Sequence, residues 1–338
     1  MLERLKKGKY PKSNKNDVLK GIGIAPSVHG AGFTGVGENL IKGKIRVELE
    51  AGGKVTIFAA QTEMGQGEQT TFRNIMADAL QISPESVFVA EVNTDIVPNS
   101  GPTVASRSTM VVGSLLIDAA KEIVQKLSTD LKNKFKGDFE YRQGYFYGGE
   151  QVISFENAVN EKGGFSVEKQ YEHPPIIKFD DINWKGDAYP VYSWAAAVAE
   201  VHIDPVTFEI KVPDFYTTHE IGKAINYDQA VAQIEGGSLQ GIGYAIYEKI
   251  GLEKGYFDVE GFSTYIIPTP TEMPDFKVRI LENPYPFGPF GAKGLGELPL
   301  VGAPPAVISA LWMIFGTEFN KIPVLPEDLF SLFNNNPD

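Results

Sequence analysis

Four glycine-rich segments of the chain carry the polar side chains that are best placed to do chemistry. The first holds Met64, Gly65, Gln66 and Gly67, between an expected strand and an expected helix. Its glycines let backbone N–H groups approach a ligand closely, and a helix start favours an anion. The Gln66 amide can both donate and accept a hydrogen bond. The segment predicts a ligand-binding loop or, as the alternative, a tight turn with a solvated glutamine.

The second segment is rich in hydroxyl groups and directly precedes a long expected helix. It contains Thr103, Val104, Ala105, Ser106, Arg107 and Ser108. Hydroxyls and backbone amides can cradle a phosphate, and Arg107 would add a fixed cation. The alternative is ordinary N-capping of the helix by Ser106 or Ser108.

The third and fourth segments lie in the second half of the chain. Residues 233–243 combine four glycines with a helical length, which costs about 1 kcal/mol per glycine in a helix interior. Such a window indicates close approach of a ligand or, alternatively, close helix packing. Residues 291–299 end a glycine loop with Glu297, followed by an apolar stretch. A carboxylate in apolar surroundings has a raised pKa and can act as a general base; the alternative is a helix-capping glutamate.

The composition excludes several classes of protein. The 338 residues include no cysteine, which rules out disulfides, thiolate zinc sites and iron–sulfur clusters held by this chain. A net charge of −12 argues against a general nucleic-acid surface. The four histidines lack metal-binding spacing, so we predict no direct metal ligand in the chain. No targeting segment is recognisable, and we expect a cytoplasmic location with no membrane contact.

The elements that must position these segments alternate between strand pairs and single helices. Alternation around Gly52 predicts a hairpin of strands 45–49 and 55–58, and apolar spacing predicts a helix over 69–80. A short strand at 87–92 and a helix from Ser106 or Ser108 to Leu131 follow.

The second half repeats this theme. We expect two strands within 194–212, a helix over 226–243, strands at 262–268 and 276–281, and a helix over 304–315. The charge-free run 298–317 is long enough to span a membrane, but its prolines confine the helix to about 12 residues, typical of a core helix.

These elements predict an α+β fold of repeated two-layer α/β sandwich units with mixed sheets. The predicted organisation is a basic arm at residues 1–16, a first half at 17–165 and a second half at 166–330.

Taken together and in this order, the four segments resemble the molybdenum hydroxylase family of xanthine dehydrogenase and aldehyde oxidase. Glu63–Gly67 looks like its pterin loop, and Pro102–Ser106 looks like its second cofactor loop. Gln233–Gly237 with Gln240-Gly241 looks like the third, and Gly291–Glu297 looks like the catalytic-glutamate motif. The resemblance runs from about Gly21 to Leu325 and covers only the C-terminal half of the family's molybdopterin-binding region.

The resemblance implies a molybdenum–molybdopterin cofactor. It leaves open whether the metal carries a sulfido or a selenido ligand, and whether the pterin is present as the cytosine dinucleotide. The implied cofactor-binding residues are Met64, Gly65, Gln66, Gly67, Thr103, Val104, Ala105, Ser106, Ser108 and Gln240. The implied reaction is hydroxylation of an aromatic N-heterocycle, nicotinate-like or purine-like, with water as oxygen source and Glu297 as general base.

The family's first molybdopterin-binding half and its FAD and [2Fe-2S] domains are absent from this sequence. We therefore expect a separate subunit, similar to the medium molybdopterin subunit of nicotinate dehydrogenase. Its partners would be a larger molybdopterin subunit, a FAD subunit and an iron–sulfur subunit. The alternatives are an aldehyde-oxidising enzyme subunit, a non-catalytic cofactor-binding scaffold and a nucleotide-binding regulatory module.

Overall fold

The computed structural model describes residues 18–174, 177–259 and 261–335, so the predicted arm at 1–16 lies outside the described residues. The strands in these ranges are β1 (Leu19–Ala31), β2 (Lys44–Glu50), β3 (Lys54–Phe58), β4 (Val87–Val89), β5 (Glu140–Arg142), β6 (Tyr145–Gly148), β7 (Gln151–Ser154), β8 (Phe165–Gln170), β9 (Phe179–Asp180), β10 (Lys185–Gly186), β11 (Val191–Ile203), β12 (Ile210–Glu220), β13 (Leu252–Glu253), β14 (Tyr256–Phe257) and β15 (Asp275–Leu281). The helices are α1 (Gly37–Ile41), α2 (Glu68–Leu80), α3 (Gly113–Phe135), α4 (Phe155–Lys162), α5 (Tyr227–Ile246), α6 (Leu298–Phe315) and α7 (Pro326–Asn335).

The first unit is a four-stranded mixed sheet of order β4-β3-β2-β8, covered by α2, α3 and α4. β3 and β4 are parallel, and the other pairs are antiparallel. Alternate residues Ile45, Val47 and Leu49 of β2 point into the core, as a half-buried strand requires. The predicted hairpin is confirmed, and Gly52 takes a positive φ of 82° in its turn.

The second unit is a four-stranded mixed sheet of order β1-β11-β12-β15. β12 and β15 are parallel, while β1, β11 and β12 pair antiparallel. Helices α5 and α6 supply the apolar residues that cover one face of this sheet. The predicted α+β class with two-layer units and mixed sheets is confirmed.

The two cores do not follow the predicted halves throughout. β1 lies in the first predicted half, yet it pairs along its whole length with β11 of the second unit. The predicted boundary at 165/166 cuts β8, which pairs with β2 of the first unit. Strand pairing joins residues far apart in the sequence, so composition along the chain did not indicate which unit β1 and β8 belong to.

Helix α6 begins at Leu298, six residues before the predicted start at Pro304. Pro304 and Pro305 lie inside the helix, where each removes one backbone hydrogen bond. Tight packing on β1 compensates for this loss: a Cβ added at Gly23 would lie 1.9 Å from the carbonyl oxygen of Ala306. By length and composition α6 could cross a membrane, but here it packs against β1, β11 and α5.

Two further strand predictions differ from the structure. Residues 262–268 form turns and irregular backbone, and Phe262 is almost fully exposed. Among the described residues no strand pairs with this segment, and a strand needs a partner for its backbone groups. The strand predicted at 87–92 ends at Val89.

Candidate functional site

A cavity of about 430 Å³ lies where the four glycine-rich segments meet. Its wall combines residues of the loop between β3 and α2, the loop before α3, the start of α5 and the loop before α6. This volume is in the range of small-molecule sites. Loops that lie far apart in the sequence, such as those of Ser106 and Glu297, therefore share one cavity.

The first loop is folded by its own carboxylate. Glu63 Oε1 accepts hydrogen bonds from the N–H groups of Gly65 at 2.9 Å and Gly67 at 3.0 Å. Gly67 has a φ of +78°, and a Cβ there would lie 2.2 Å from the side chain of Gln229. Met64 and Gln66 line the cavity, whereas the two glycines shape the turn behind them. The loop thus needs glycine for its conformation and presents Gln66 to the cavity.

The second loop carries consecutive non-glycine residues in the left-handed region, Ala105 with φ +55° and Ser106 with φ +49°. Such conformations are costly and cluster at functional sites. Thr103 joins this loop to the first, because its hydroxyl accepts a hydrogen bond from the N–H of Thr62 at 2.8 Å. Thr103, Val104, Ala105, Ser106 and Ser108 all line the cavity. No side chain caps the π-helical turn Ser108–Val112 that leads into α3, so the capping alternative fails here.

Arg107 does not provide the cation predicted for a phosphate. Its side chain is completely buried and forms a bidentate ion pair with the buried Glu38 of α1, at 2.8 to 3.1 Å. The guanidinium also donates to the carbonyl oxygens of Ser100 at 2.9 Å and Pro102 at 3.2 Å. These contacts fix the second loop from behind and leave the charge of Arg107 neutralised by Glu38.

Glu297 and Ser106 are in direct contact across the cavity wall. The Ser106 hydroxyl donates to Glu297 Oε2 at 2.6 Å, and the N–H of Glu297 donates to the same hydroxyl at 3.0 Å. Nε2 of His29 on β1 lies 3.5 Å from this carboxylate oxygen. The capping alternative is not observed, because the Glu297 side chain makes no capping hydrogen bond to α6.

The surroundings of Glu297 differ from the apolar enclosure that the sequence predicts. Its side chain is 49% exposed to the open cavity. The apolar residues that follow it, Leu298 and Pro299, turn into the core with α6 instead of surrounding the carboxylate. The carboxylate therefore faces the open cavity and not an apolar pocket.

The fourth loop is held in place by Lys293. Its ammonium group donates to both carboxylate oxygens of Glu220 at 2.7 and 2.8 Å and to the carbonyl oxygen of Tyr192 at 3.2 Å. The loop packs directly on the second loop, since a Cβ at Gly294 would lie 2.1 Å from the carbonyl oxygen of Ser106. This close approach is what brings Glu297 to Ser106.

The third segment lies within α5, and its glycines serve helix packing. A Cβ at Gly237 would lie 2.9 Å from Pro299, and one at Gly241 would lie 2.8 Å from the carbonyl oxygen of Leu300. The sequence left two interpretations of residues 233–243 open, ligand approach and close helix packing, and close helix packing is observed.

Gln240, the residue predicted to bind cofactor, is exposed and is not among the described residues that line the cavity. It lies about two turns beyond Gln233, or roughly 10 Å along the helix. Gln233 takes its place: this side chain lines the cavity and donates to the carbonyl oxygen of Gly296 at 2.9 Å.

Several side chains of the site were not identified from sequence. Glu68, Lys223, Gln229 and Gln233 line the cavity, and His29 approaches Glu297. Gln233 lies in the third segment, where Gln240 was the residue predicted to bind, whereas Lys223 and Gln229 lie just before α5 and in its first turn, outside the four segments. His29 gave no local signal, because only the register of β1 on β11 brings it to the site.

Two carboxyl groups of the first loop titrate in opposite directions. Burial raises the pKa of Glu68 to about 7, and the neighbouring Ser108 hydroxyl and Gln66 amide offset part of that rise. Burial would also raise the pKa of Glu63, but the N–H groups of Gln69, Gly67 and Gly65 outweigh it and hold that pKa below its usual value. Adjacent carboxyl groups with separated pKa values are typical of functional sites.

A family model described as a molybdopterin cofactor-binding domain matches residues 3–274. The chain belongs to this family. It is 29% identical to the 6-hydroxypseudooxynicotine dehydrogenase complex subunit gamma of Paenarthrobacter nicotinovorans, over 97% of this chain and 41% of that protein. It is 30% identical to the nicotine 6-hydroxylase large subunit of the same organism, over 83% of this chain and 35% of that protein. The resemblance to molybdenum hydroxylases is confirmed.

Solved structures share the fold of this molybdopterin-binding chain. Quinoline 2-oxidoreductase from Pseudomonas putida superposes with a TM-score of 0.80 at 23% identity, over 98% of this chain and 43% of that one. Aldehyde oxidoreductase from Desulfovibrio desulfuricans gives a TM-score of 0.77 at 26% identity, over 98% and 33%. The chain thus spans less than half the length of these relatives.

The residues around the cavity fit a molybdopterin group. A pterin is a flat heterocycle with hydrogen-bonding edges, and its phosphate is an anion. The wall offers amide, hydroxyl and ammonium groups at Gln66, Gln229, Ser108 and Lys223. Two buried wall atoms, Gln229 Oε1 and Glu68 Oε1, have no hydrogen-bond partner among the described residues. Buried polar atoms without partners are rare, so they indicate a polar ligand.

Proposed function

We propose that this chain is the molybdopterin-binding subunit of a multi-subunit molybdenum hydroxylase, and that the enzyme hydroxylates an aromatic N-heterocycle with water as the oxygen source. One observation carries the proposal: Glu297 is held by Ser106 in the wall of a cavity that three of the family-like loops enclose together with Gln233 of α5. The name of one relative, nicotine 6-hydroxylase, supports the substrate class, because nicotine contains a nitrogen heterocycle.

Glu297 would serve as the general base. Ser106 occupies Oε2 of its carboxylate, whereas the described residues make no hydrogen bond to Oε1. Oε1 is therefore free to accept a proton from a group bound in the cavity. His29 would help to hold the carboxylate, since a charge on its ring would attract Oε2 from 3.5 Å.

The other loops would bind and orient the cofactor. Gln66 and Gln229 would face the heterocyclic part, and the hydroxyls of Thr103 and Ser108 would donate to its polar groups. Lys223 would replace Arg107 as the cation near the phosphate. When bound, the molybdenum cofactor would supply the two-electron oxidation, and the chain supplies position and electrostatics.

We further propose that a larger chain completes the cofactor site. The open cavity and the short span relative to the relatives support this division, as do the words "complex subunit" and "large subunit" in two relatives' names. FAD and [2Fe-2S] subunits would carry electrons away, in the cytoplasm.

The test is Glu297→Gln in the assembled complex purified from its host. We expect unchanged molybdenum content and thermal midpoint, with turnover of nicotinate, nicotine or hypoxanthine reduced by at least about 100-fold, the low end for a lost general base. Glu282→Gln, at an exposed glutamate outside the cavity, is the matched control and should keep wild-type turnover.

Other outcomes would contradict the proposal at separate points. A complex without molybdenum would exclude the cofactor assignment. Turnover of aldehydes with none of any heterocycle would exclude the substrate class. A Glu297→Gln complex with normal metal content and near-normal turnover would remove Glu297 from its role.

A further inference from the structure

Glu68 is a buried carboxyl group in the cavity wall. It is the first residue of α2, it is only 6% exposed, and it contributes to the lining of the cavity. Its Oε2 accepts a hydrogen bond from Gln66 Nε2 at 3.1 Å. Its Oε1 is buried and has no hydrogen-bond partner among the described residues. A glutamate is rarely buried without a partner for both oxygens, so its place here calls for a function.

The Gln66 amide is held in one orientation by three hydrogen bonds. Nε2 donates to the carbonyl oxygen of Thr62 at 2.9 Å and to Glu68 at 3.1 Å, and Oε1 accepts from the N–H of Met64 at 2.6 Å. Turning the amide over would place its oxygen against two other acceptors. Glu68 is the one side-chain partner in this set, because Thr62 and Met64 contribute backbone atoms of the same loop.

We propose that Glu68 is a positioning residue that fixes the side-chain amide of Gln66 in the wall of the cavity. This inference deepens the proposed function and rests on it as far as the bound group is molybdopterin. Without Glu68, one Nε2 hydrogen loses its acceptor, and only backbone atoms of Thr62 and Met64 still hold the amide. The surface that Gln66 presents to a bound heterocycle is then held less firmly.

The protonation behaviour of Glu68 provides a separate check that its carboxyl group is buried as described. Burial raises its pKa from the ordinary 4.5 to about 7. The Ser108 hydroxyl, the Gln66 amide and the charge of Arg107 lower it, and the charge of Glu63 raises it. Because the folded chain binds more protons than the unfolded chain between pH 4.5 and 7, stability should fall as pH rises through this window.

The experiment compares two variants of the full chain. Glu68→Gln keeps an oxygen that can accept from Gln66 but cannot titrate, whereas Glu68→Met has similar length and no acceptor. Glu63→Gln is the control, since it alters the neighbouring carboxylate that bonds backbone N–H groups of the same loop. The first readout is hydrogen exchange of the Gln66 side-chain amide by NMR, identified by its loss in Gln66→Ala.

For the Gln66 amide, we expect exchange about tenfold or more faster in Glu68→Met and near wild type in Glu68→Gln, a factor that corresponds to about 1.4 kcal/mol. The thermal midpoint of wild type should fall relative to Glu68→Gln as pH rises from about 4.5 to about 7. Glu63→Gln should keep most of this fall, because burial is the main cause of the raised pKa of Glu68 and the charge of Glu63 is a smaller one. Equal amide exchange in wild type and Glu68→Met would overturn the proposal. If Glu68→Met does not fold, Glu68→Ala, which also lacks an acceptor, takes its place, and amide exchange equal to wild type in that variant would overturn the proposal.

A second readout links the residue to the cofactor. In the assembled complex, molybdenum retained after gel filtration should be several-fold lower for Glu68→Met than for Glu68→Gln. Full retention by Glu68→Met would remove the cofactor part of the inference. The amide-exchange measurement needs no cofactor, so a wild-type complex without molybdenum would count against the proposed function alone.

Discussion

The ion pair between Arg107 and Glu38 gives the sharpest test of how the second loop is held. Both side chains are fully buried, and the pair is bidentate at 2.8 to 3.1 Å. Arg107 also bonds two loop carbonyl groups, those of Ser100 and Pro102. The perturbation is Arg107→Met, which keeps much of the side-chain volume and removes the charge and the donors.

The expected loss of stability is large because the change removes the ion-pair partner of the buried Glu38 and one donor from each of two carbonyl groups. Removing one member of a buried ion pair costs about 3–5 kcal/mol. The carbonyl groups of Ser100 and Pro102 also lose donors, at about 1–3 kcal/mol for each group that stays unsatisfied. Native proteins have about 5–15 kcal/mol of stability in total, so the single variant should be close to unfolded.

The double variant Arg107→Met/Glu38→Met should recover part of this loss. Replacing both members of a buried ion pair by apolar residues is often neutral or stabilising. The carbonyl groups of Ser100 and Pro102 still lack the donors that Arg107 supplied, and the N–H of Phe33, which bonds Glu38 at 3.2 Å in the wild type, loses its acceptor. We therefore expect recovery of about 3 kcal/mol relative to Arg107→Met, with the remainder still lost.

Urea unfolding of the two variants and the wild type measures these differences through the shift in midpoint. The matched control is Lys54→Met, which breaks an exposed pair with Glu50 and should cost less than about 1 kcal/mol. The reasoning is refuted if Arg107→Met costs no more than Lys54→Met. It is also refuted if the double variant is less stable than Arg107→Met.

Two further predictions concern the site and the helix that carries it. Ser106→Ala removes both hydrogen bonds to Glu297. It should lower turnover while the free energy of unfolding falls by only about 1 kcal/mol, which turnover and thermal midpoint measure together. Unchanged turnover would show that Ser106 does not hold the base. Gly241→Ala should destabilise the fold by about 1–3 kcal/mol, because its Cβ would lie 2.8 Å from a carbonyl oxygen of α6. Gly236→Ala, which has open space around it, should stabilise the fold by about 0.4–1 kcal/mol. Equal thermal midpoints for the two variants would contradict the packing argument.

Local patterns determined much of the secondary structure. The hairpin of β2 and β3 and helix α2 follow from apolar spacing within a few residues, so a short window contains the whole signal. Three of the loops that enclose the cavity were also recognisable as candidate binding loops, because glycine and hydroxyl residues suit backbone close to a ligand. For Ser106 and Glu297 the local pattern left helix capping open as the alternative, and their roles came from the family resemblance.

Non-local packing decided what local patterns could not. Helix α6 runs through Pro304 because Gly23 of β1 and Gly241 of α5 let neighbouring backbone approach it closely. That compensation involves residues more than 60 and 280 positions away in the sequence. Contacts between distant segments also explain the position of β1, which lies in the first predicted half but pairs with β11 in the sheet of the second unit.

The roles of individual site residues depended most on the tertiary structure. Arg107 carries a charge that could bind a phosphate, but Glu38 lies close enough to neutralise it. Gln233 and not Gln240 reaches the cavity, because helix phase and length set which glutamine faces it. Residue type and spacing in the sequence determined which loops could bind a cofactor. Contacts between segments far apart in the chain decided which side chains of those loops face the cavity, which are buried and which form ion pairs.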